Sequence, residues 1–93
     1  MSQPKIVMYS TRFCPYCMRA KQLLNSKGWA FDEIAVDFDH EKRMEMMQKS
    51  GQRTVPQIWI GETHVGGCDD LFRLEHAGQL DPMMNDEAQG SMQ

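Results

Sequence analysis

Two cysteines separated by two residues, Cys14-Pro15-Tyr16-Cys17, stand where one sequence pattern gives way to another. Upstream, Ile6-Val7-Met8-Tyr9 is a continuously apolar run of strand length, as expected for a strand covered on both faces in a parallel sheet. Downstream, Cys17, Ala20, Leu23 and Leu24 recur at helical spacing, while Arg19, Lys21, Gln22 and Asn25 fall on the opposite side. Pro15 suits the first helical position, where its missing N–H is not needed and its φ is already helical. A strand therefore hands over to a helix at the cysteine pair. That placement suits thiol–disulfide exchange. The first sulfur sits at the helix N-terminus, where an anion is stabilised, and the second lies one turn in, close enough to close a ring.

The bulk properties narrow the setting. Ninety-three residues make one domain with room for a single core. A composition 41% hydrophobic and 25% charged is that of a globular protein. Net charge is −3, and the basic residues are scattered, so there is no general attraction for nucleic acid. The N-terminal residues carry no apolar signal core, and no apolar run reaches membrane length, so a cytoplasmic protein is expected. Three cysteines fit that compartment: an odd number makes a poor disulfide scaffold, and a CxxC pair in a reducing cytosol is catalytic or metal-binding.

Along the chain, Gly28 closes the first helix, and Trp29 to Val36 predicts a second strand with Phe31, Ile34 and Val36 buried. Asp39 caps a second helix over His40 to Ser50, closed by Gly51, with Met44 and Met47 facing the core. Pro56 to Ile60 and Thr63 to Val65 form an antiparallel hairpin about Gly61-Glu62, with glycine placed for a type II′ turn. Cys68-Asp69-Asp70 opens a third helix bearing Leu71, Phe72, Leu74 and Ala77, ended by Gly78. From Pro82 onward no period is evident, which predicts a folded domain over 1–82 and a flexible tail over 83–93. The order β-α-β-α-β-β-α gives an α/β fold of thioredoxin-like type: a four-stranded mixed sheet covered by three helices.

Cys14-Pro15-Tyr16-Cys17, Thr54-Val55-Pro56 and Gly66-Gly67-Cys68-Asp69-Asp70 stand in the order and at the spacings of dithiol glutaredoxins, and the chain resembles the single-domain type found in bacteria and plants. The resemblance implies a glutathione-dependent oxidoreductase that reduces glutathione mixed disulfides and protein disulfides, with Cys14 as nucleophile and Cys17 as resolving thiol. It implies glutathione as reductant, regenerated by an NADPH-dependent reductase, and glutathionylated or disulfide-containing proteins as partners of a monomer. No resident metal is expected. A glutathione site is implied at Tyr16, Gln52, Thr54, Val55, Pro56, Gly67, Cys68, Asp69 and Asp70, with a cis bond before Pro56 turning the Val55 backbone toward the cysteines. Amides at the start of the third helix would take the γ-glutamyl carboxylate and Asp69 its ammonium, although Asp69 also suits plain helix capping. Cys68 would either form a regulatory mixed disulfide or fill a small space beside the site.

The attacking thiol needs help. An accessible cysteine titrates near 8.5, and lowering that by about three pH units takes about 4 kcal/mol of preference for the anion. A helix dipole contributes about 0.3–1 kcal/mol, or about 2 in a sheltered site. Charge-assisted hydrogen bonds from the Tyr16 and Cys17 amides to the Cys14 sulfur are expected to contribute more. Many glutaredoxins carry a lysine three residues before the first cysteine; Thr11 stands there in this chain, leaving Arg12 and Arg53 as the candidate cations.

Three other readings compete. A zinc module would use Cys14, Cys17, Cys68 and either His64 or His76, but only one close cysteine pair exists. A glutathione-ligated iron–sulfur carrier would share a cluster between two chains through Cys14; the rigid Pro15 and the competing Cys17 thiol argue against it. A binding module could use Met44, Met46 and Met47 with Met83 and Met84 as a soft surface, though such methionines are commonly core filler.

Overall fold

The computed structural model describes residues 4–84 and has the element order β1 (Ile6–Ser10), α1 (Pro15–Ser26), β2 (Asp32–Ala35), α2 (His40–Ser50), β3 (Gln57–Ile60), β4 (Thr63–Gly66), α3 (Cys68–His76) and α4 (Leu80–Met84). The strands form one sheet in the order β2-β1-β3-β4. β1 runs parallel to β2 and antiparallel to β3, and β4 pairs antiparallel with β3. This is the mixed sheet expected from the sequence.

Strand alternation decides which side chains meet which helices. Ile6 and Met8 of β1 and Ile58 and Ile60 of β3 point to one face, where they pack with Ala20 and Leu24 of α1 and Leu71 of α3. Tyr9 points to the other face and packs with Val36, Met46 and the partly buried Trp59. The sheet is thus buried on both sides, with α2 alone on the second face. Trp29 and Trp59 are both packing residues, one on each face.

The local punctuation follows the residues that supply it. Gly28 and Gly51 take positive φ after α1 and α2, and the Asp39 side chain accepts the Lys42 amide at 3.0 Å. Gly61 has a positive φ and Glu62 after it does not, which is the pattern of a type II′ turn, and Ile60 pairs with Thr63 across it.

Three expectations are corrected. β2 is shorter than Trp29–Val36, because Trp29 and Phe31 leave the ladder to pack against the core beside α1. On α2 it is Met46 that is fully buried; Met47 is partly buried and Met44 is exposed. Spacing defines a stripe on a helix but not how the helix rolls onto the sheet. Finally, a fourth helix follows α3. Leu80 and Met84, one turn apart, are buried in the main core, Met83 packs against it, and Lys27 reaches Asp81 at 2.9 Å. Structure thus extends through residue 84, and the rest of the expected tail lies outside the described residues.

Candidate active site

Cys14 is the residue immediately before α1, in extended backbone, and Pro15 is the first helical residue, which starts the helix at the cysteine. The Cys14 thiol is partly exposed, whereas Cys17, one turn on, is fully buried. Burial pushes the Cys17 thiol up to about 12; the adjacent Cys14 sulfur adds to this, while the Thr11 amide and Lys21 pull the other way. The two sulfurs therefore differ in access and in acidity: one is partly exposed, the other buried and held in its protonated form.

The expected amide hydrogen bonds onto the Cys14 sulfur are not made, since the side chain forms no capping bond with α1. Instead the thiol donates to the Val55 carbonyl at 3.8 Å. A neutral S–H can donate to a carbonyl oxygen in this way, whereas a thiolate can only accept. The Val55–Pro56 peptide is cis.

Beside Cys14 opens a cleft of about 460 Å³. Tyr16, Gln52, Thr54, Val55, Pro56, Gly67, Cys68, Asp69 and Asp70 all line it, so residues from three separate parts of the chain meet on one wall. The sheet order explains this: the loop before β3 and the turn from β4 into α3 lie side by side because β3 and β4 are neighbours. Gly67 precedes the first residue of α3, and its amide donates to the Asp70 carboxylate at 3.0 Å, while the other Asp70 oxygen meets Arg73 at 3.1 Å. Asp70, not Asp69, is the capping side chain. Asp69, in the first turn of α3, is exposed at the cleft. Cys68 is buried, and burial followed by the Asp69 charge holds its thiol above the usual value, against a partial pull from Arg19. A thiol held protonated fits the space-filling role better than a reactive one.

The two candidate cations lie off the cleft wall. Arg12 is paired with Asp37, its Nε and amide both 3.2 Å from one carboxylate oxygen. Desolvation acts to raise the Asp37 carboxyl, but the Arg12 amide and guanidinium outweigh it and hold it low. Arg53 sits between two cleft residues, Gln52 and Thr54.

Gly66 of the third motif lines the cleft too, as do Gln57, His64 and Val65, which sequence reasoning did not place there. Gln57 is a buried polar side chain in a strand of apolar ones. Its amide nitrogen donates to the Thr54 carbonyl at 3.0 Å, and its oxygen meets His64 Nε2 at 2.8 Å. His64 also stacks on Trp59, with ring centroids 4.6 Å apart, so it braces the Thr54 loop. The polar residue inside the run Pro56 to Ile60 was the available signal. Among the described residues no group of three or more His, Cys, Asp and Glu side chains converges at metal-ligand spacing.

A glutaredoxin family model matches residues 6–65. A glutaredoxin from Pseudomonas aeruginosa is 61% identical over 82 residues, covering 88% of this chain and 98% of its own. The solution structure of a glutaredoxin from Brucella melitensis superposes with a TM-score of 0.80 at 49% identity, covering 90% of this chain and 91% of that one. The crystal structure of a buckwheat glutaredoxin–glutathione complex gives a TM-score of 0.82 at 34% identity, covering 90% and 78%.

Proposed function

The chain belongs to the glutaredoxin family of thiol–disulfide oxidoreductases, and on that footing we propose that it takes its electrons from glutathione and works through the Cys14–Cys17 pair. The observation that carries this reading is the cleft beside Cys14, lined by the Val55 backbone on one side and the start of α3 on the other. A tripeptide can lie there as an added strand against Val55, with its γ-glutamyl carboxylate at the α3 amides and its ammonium on Asp69. The buckwheat relative was solved as a glutathione complex, which supports the assignment. Arg12 already neutralises Asp37, which leaves Arg53, next in sequence to the cleft residues Gln52 and Thr54, as the remaining candidate cation for a ligand carboxylate.

The exchange begins when Cys14 loses its proton. A thiolate cannot donate, so the bond to Val55 breaks and the carbonyl is freed for a substrate amide. Cys14 attacks the glutathionyl sulfur of a mixed disulfide; that S–S bond breaks, a Cys14–glutathione disulfide forms, and the substrate leaves as a thiolate that takes up a proton. A second glutathione thiolate attacks the glutathionyl sulfur, restoring Cys14 and leaving oxidised glutathione. When the substrate is a protein disulfide, Cys17 displaces the reduced substrate from Cys14, and two glutathiones then reduce the Cys14–Cys17 bond. The cytoplasm, where glutathione is kept reduced, is the compartment for such a reaction.

The test is glutathione-coupled turnover of a small glutathione mixed disulfide and of a protein disulfide. Cys14→Ser should lose both activities. Cys17→Ser should keep the first and lose the second. Turnover by Cys14→Ser would refute the nucleophile, and retention of both by Cys17→Ser would make Cys17 a bystander.

A further inference from the structure

Single exposed apolar side chains are ordinary on a protein surface, whereas large side chains gathered in one patch mark a place that something covers. Five such side chains are exposed among the described residues, and three of them, Phe13, Tyr16 and Met18, lie within four residues of Cys14. A fourth, Phe38, follows β2, and with Phe13 it is the most exposed of the set, at 84% and 86%. Arg12 joins these two rings: its guanidinium lies 5.8 Å from the Phe13 ring centre and 4.9 Å from that of Phe38. Asp37 holds Arg12 through both the amide and the side chain, so the loops after β1 and β2 are tied together.

The topology places this platform. In the sheet order β2-β1-β3-β4, Cys14 leaves the end of β1; the cleft lies toward β3 and β4, and Phe38 lies on the other side, beyond β2. Phe13 and Phe38 take no part in lining the cleft. The reactive sulfur therefore stands between two surfaces of different character. One is a concave cleft of tripeptide size with both polar and apolar residues in its wall, and the other is an exposed aromatic pair around a guanidinium already paired with a carboxylate.

We infer that the Phe13–Arg12–Phe38 platform binds the protein half of a disulfide substrate, selecting polypeptides with apolar side chains next to the target cysteine. This rests on the glutathione reading above, which assigns the cleft side to the tripeptide and leaves the β2 side for what is attached to it. The chemistry of the platform identifies the occupant. The Arg12 charge is already paired with Asp37, which weakens its pull on an acidic partner, while aromatic rings and arginine are the residues enriched where proteins anchor to one another. Because Asp37 already orders Arg12, docking costs little further side-chain entropy.

The experiment uses two synthetic glutathionylated peptides, identical except that leucine and phenylalanine flank the cysteine in one and serines flank it in the other, together with cysteamine–glutathione disulfide. The wild type is expected to favour the apolar peptide by about tenfold in kcat/KM, with the difference carried by KM. The double variant Phe13→Ser, Phe38→Ser should lose that preference yet turn over cysteamine–glutathione within twofold of wild type, which also shows that it is folded. Equal rates of the wild type on both peptides, or a preference that survives in the variant, would overturn the inference. So would a dimer in sedimentation that the double variant abolishes, since the platform would then be covered by a second copy. Failure of the wild type to turn over cysteamine–glutathione at all would overturn the glutathione reading itself, and this inference with it.

Discussion

The turn from β4 into α3 makes a strong demand on one residue. Gly66 has φ of +114°, and a Cβ built there would lie 2.3 Å from Asp70 Oδ2 and 2.8 Å from its Cγ. Gly66→Ala therefore suffers twice. An L-residue held at that φ costs about 1–3 kcal/mol. The methyl also displaces the Asp70 carboxylate from the Gly67 amide, a capping contact of 3.0 Å worth about 0.5–2 kcal/mol. The sum is about 1.5–5 kcal/mol in urea unfolding. Asp70→Ala, which loses the cap without backbone strain, should cost about 1 kcal/mol. The double variant is the discriminating one. Its cap is already gone and the closest clash, with the carboxylate, is relieved, so it should be no less stable than Gly66→Ala alone, a departure from additivity of about 1 kcal/mol. The same variants should raise KM for glutathione, because the displaced cap sits at the wall where α3 begins. Additive costs would show that Asp70 is not pushed aside, and a neutral Gly66→Ala would refute the geometry altogether.

Two further outcomes follow from burial. Cys17 is held near 12 while a thiol in the unfolded chain titrates near 8.5, so above the lower value the unfolded state has shed a proton that the native state keeps. By linkage, stability then falls as pH rises, by at most about 1.4 kcal/mol per pH unit. Urea midpoints under reducing conditions at pH 8, 9 and 10 should decline more steeply for wild type than for Cys17→Ser, and parallel declines would refute the assignment. Leu80→Ala opens a hole in the main core beneath α4 and should cost about 2–4 kcal/mol; a loss below about 0.5 kcal/mol would show that α4 is not packed as described.

Much of the fold was readable because the decisive signals are local. Pro15 at the first helical position, Asp39 capping α2, and the glycines at 28, 51 and 61 each impose a backbone state on their own neighbourhood, and each boundary falls where that state is needed. Where the signal was weak, the reading slipped. α4 has five residues with Pro82 among them, too short for a period to show, and it exists because Leu80 and Met84 find the core. Met44 and Met46 could not be ranked along α2 without knowing which side rests on Tyr9 and Val36.

The site divides in the same way. Residue order alone determined that a strand delivers two cysteines to a helix start, with one sulfur exposed and the other buried, because strand and helix periods are properties of neighbours in the chain. Only the folded sheet decided that Val55 and Asp69 share a cleft beside Cys14, that Gln57 and His64 brace it, and that Arg12 answers Asp37 rather than a thiolate. Those pairings join residues up to 41 positions apart. Their partners are chosen by strand order and by competition between charges, and neither is written in any local stretch of the chain.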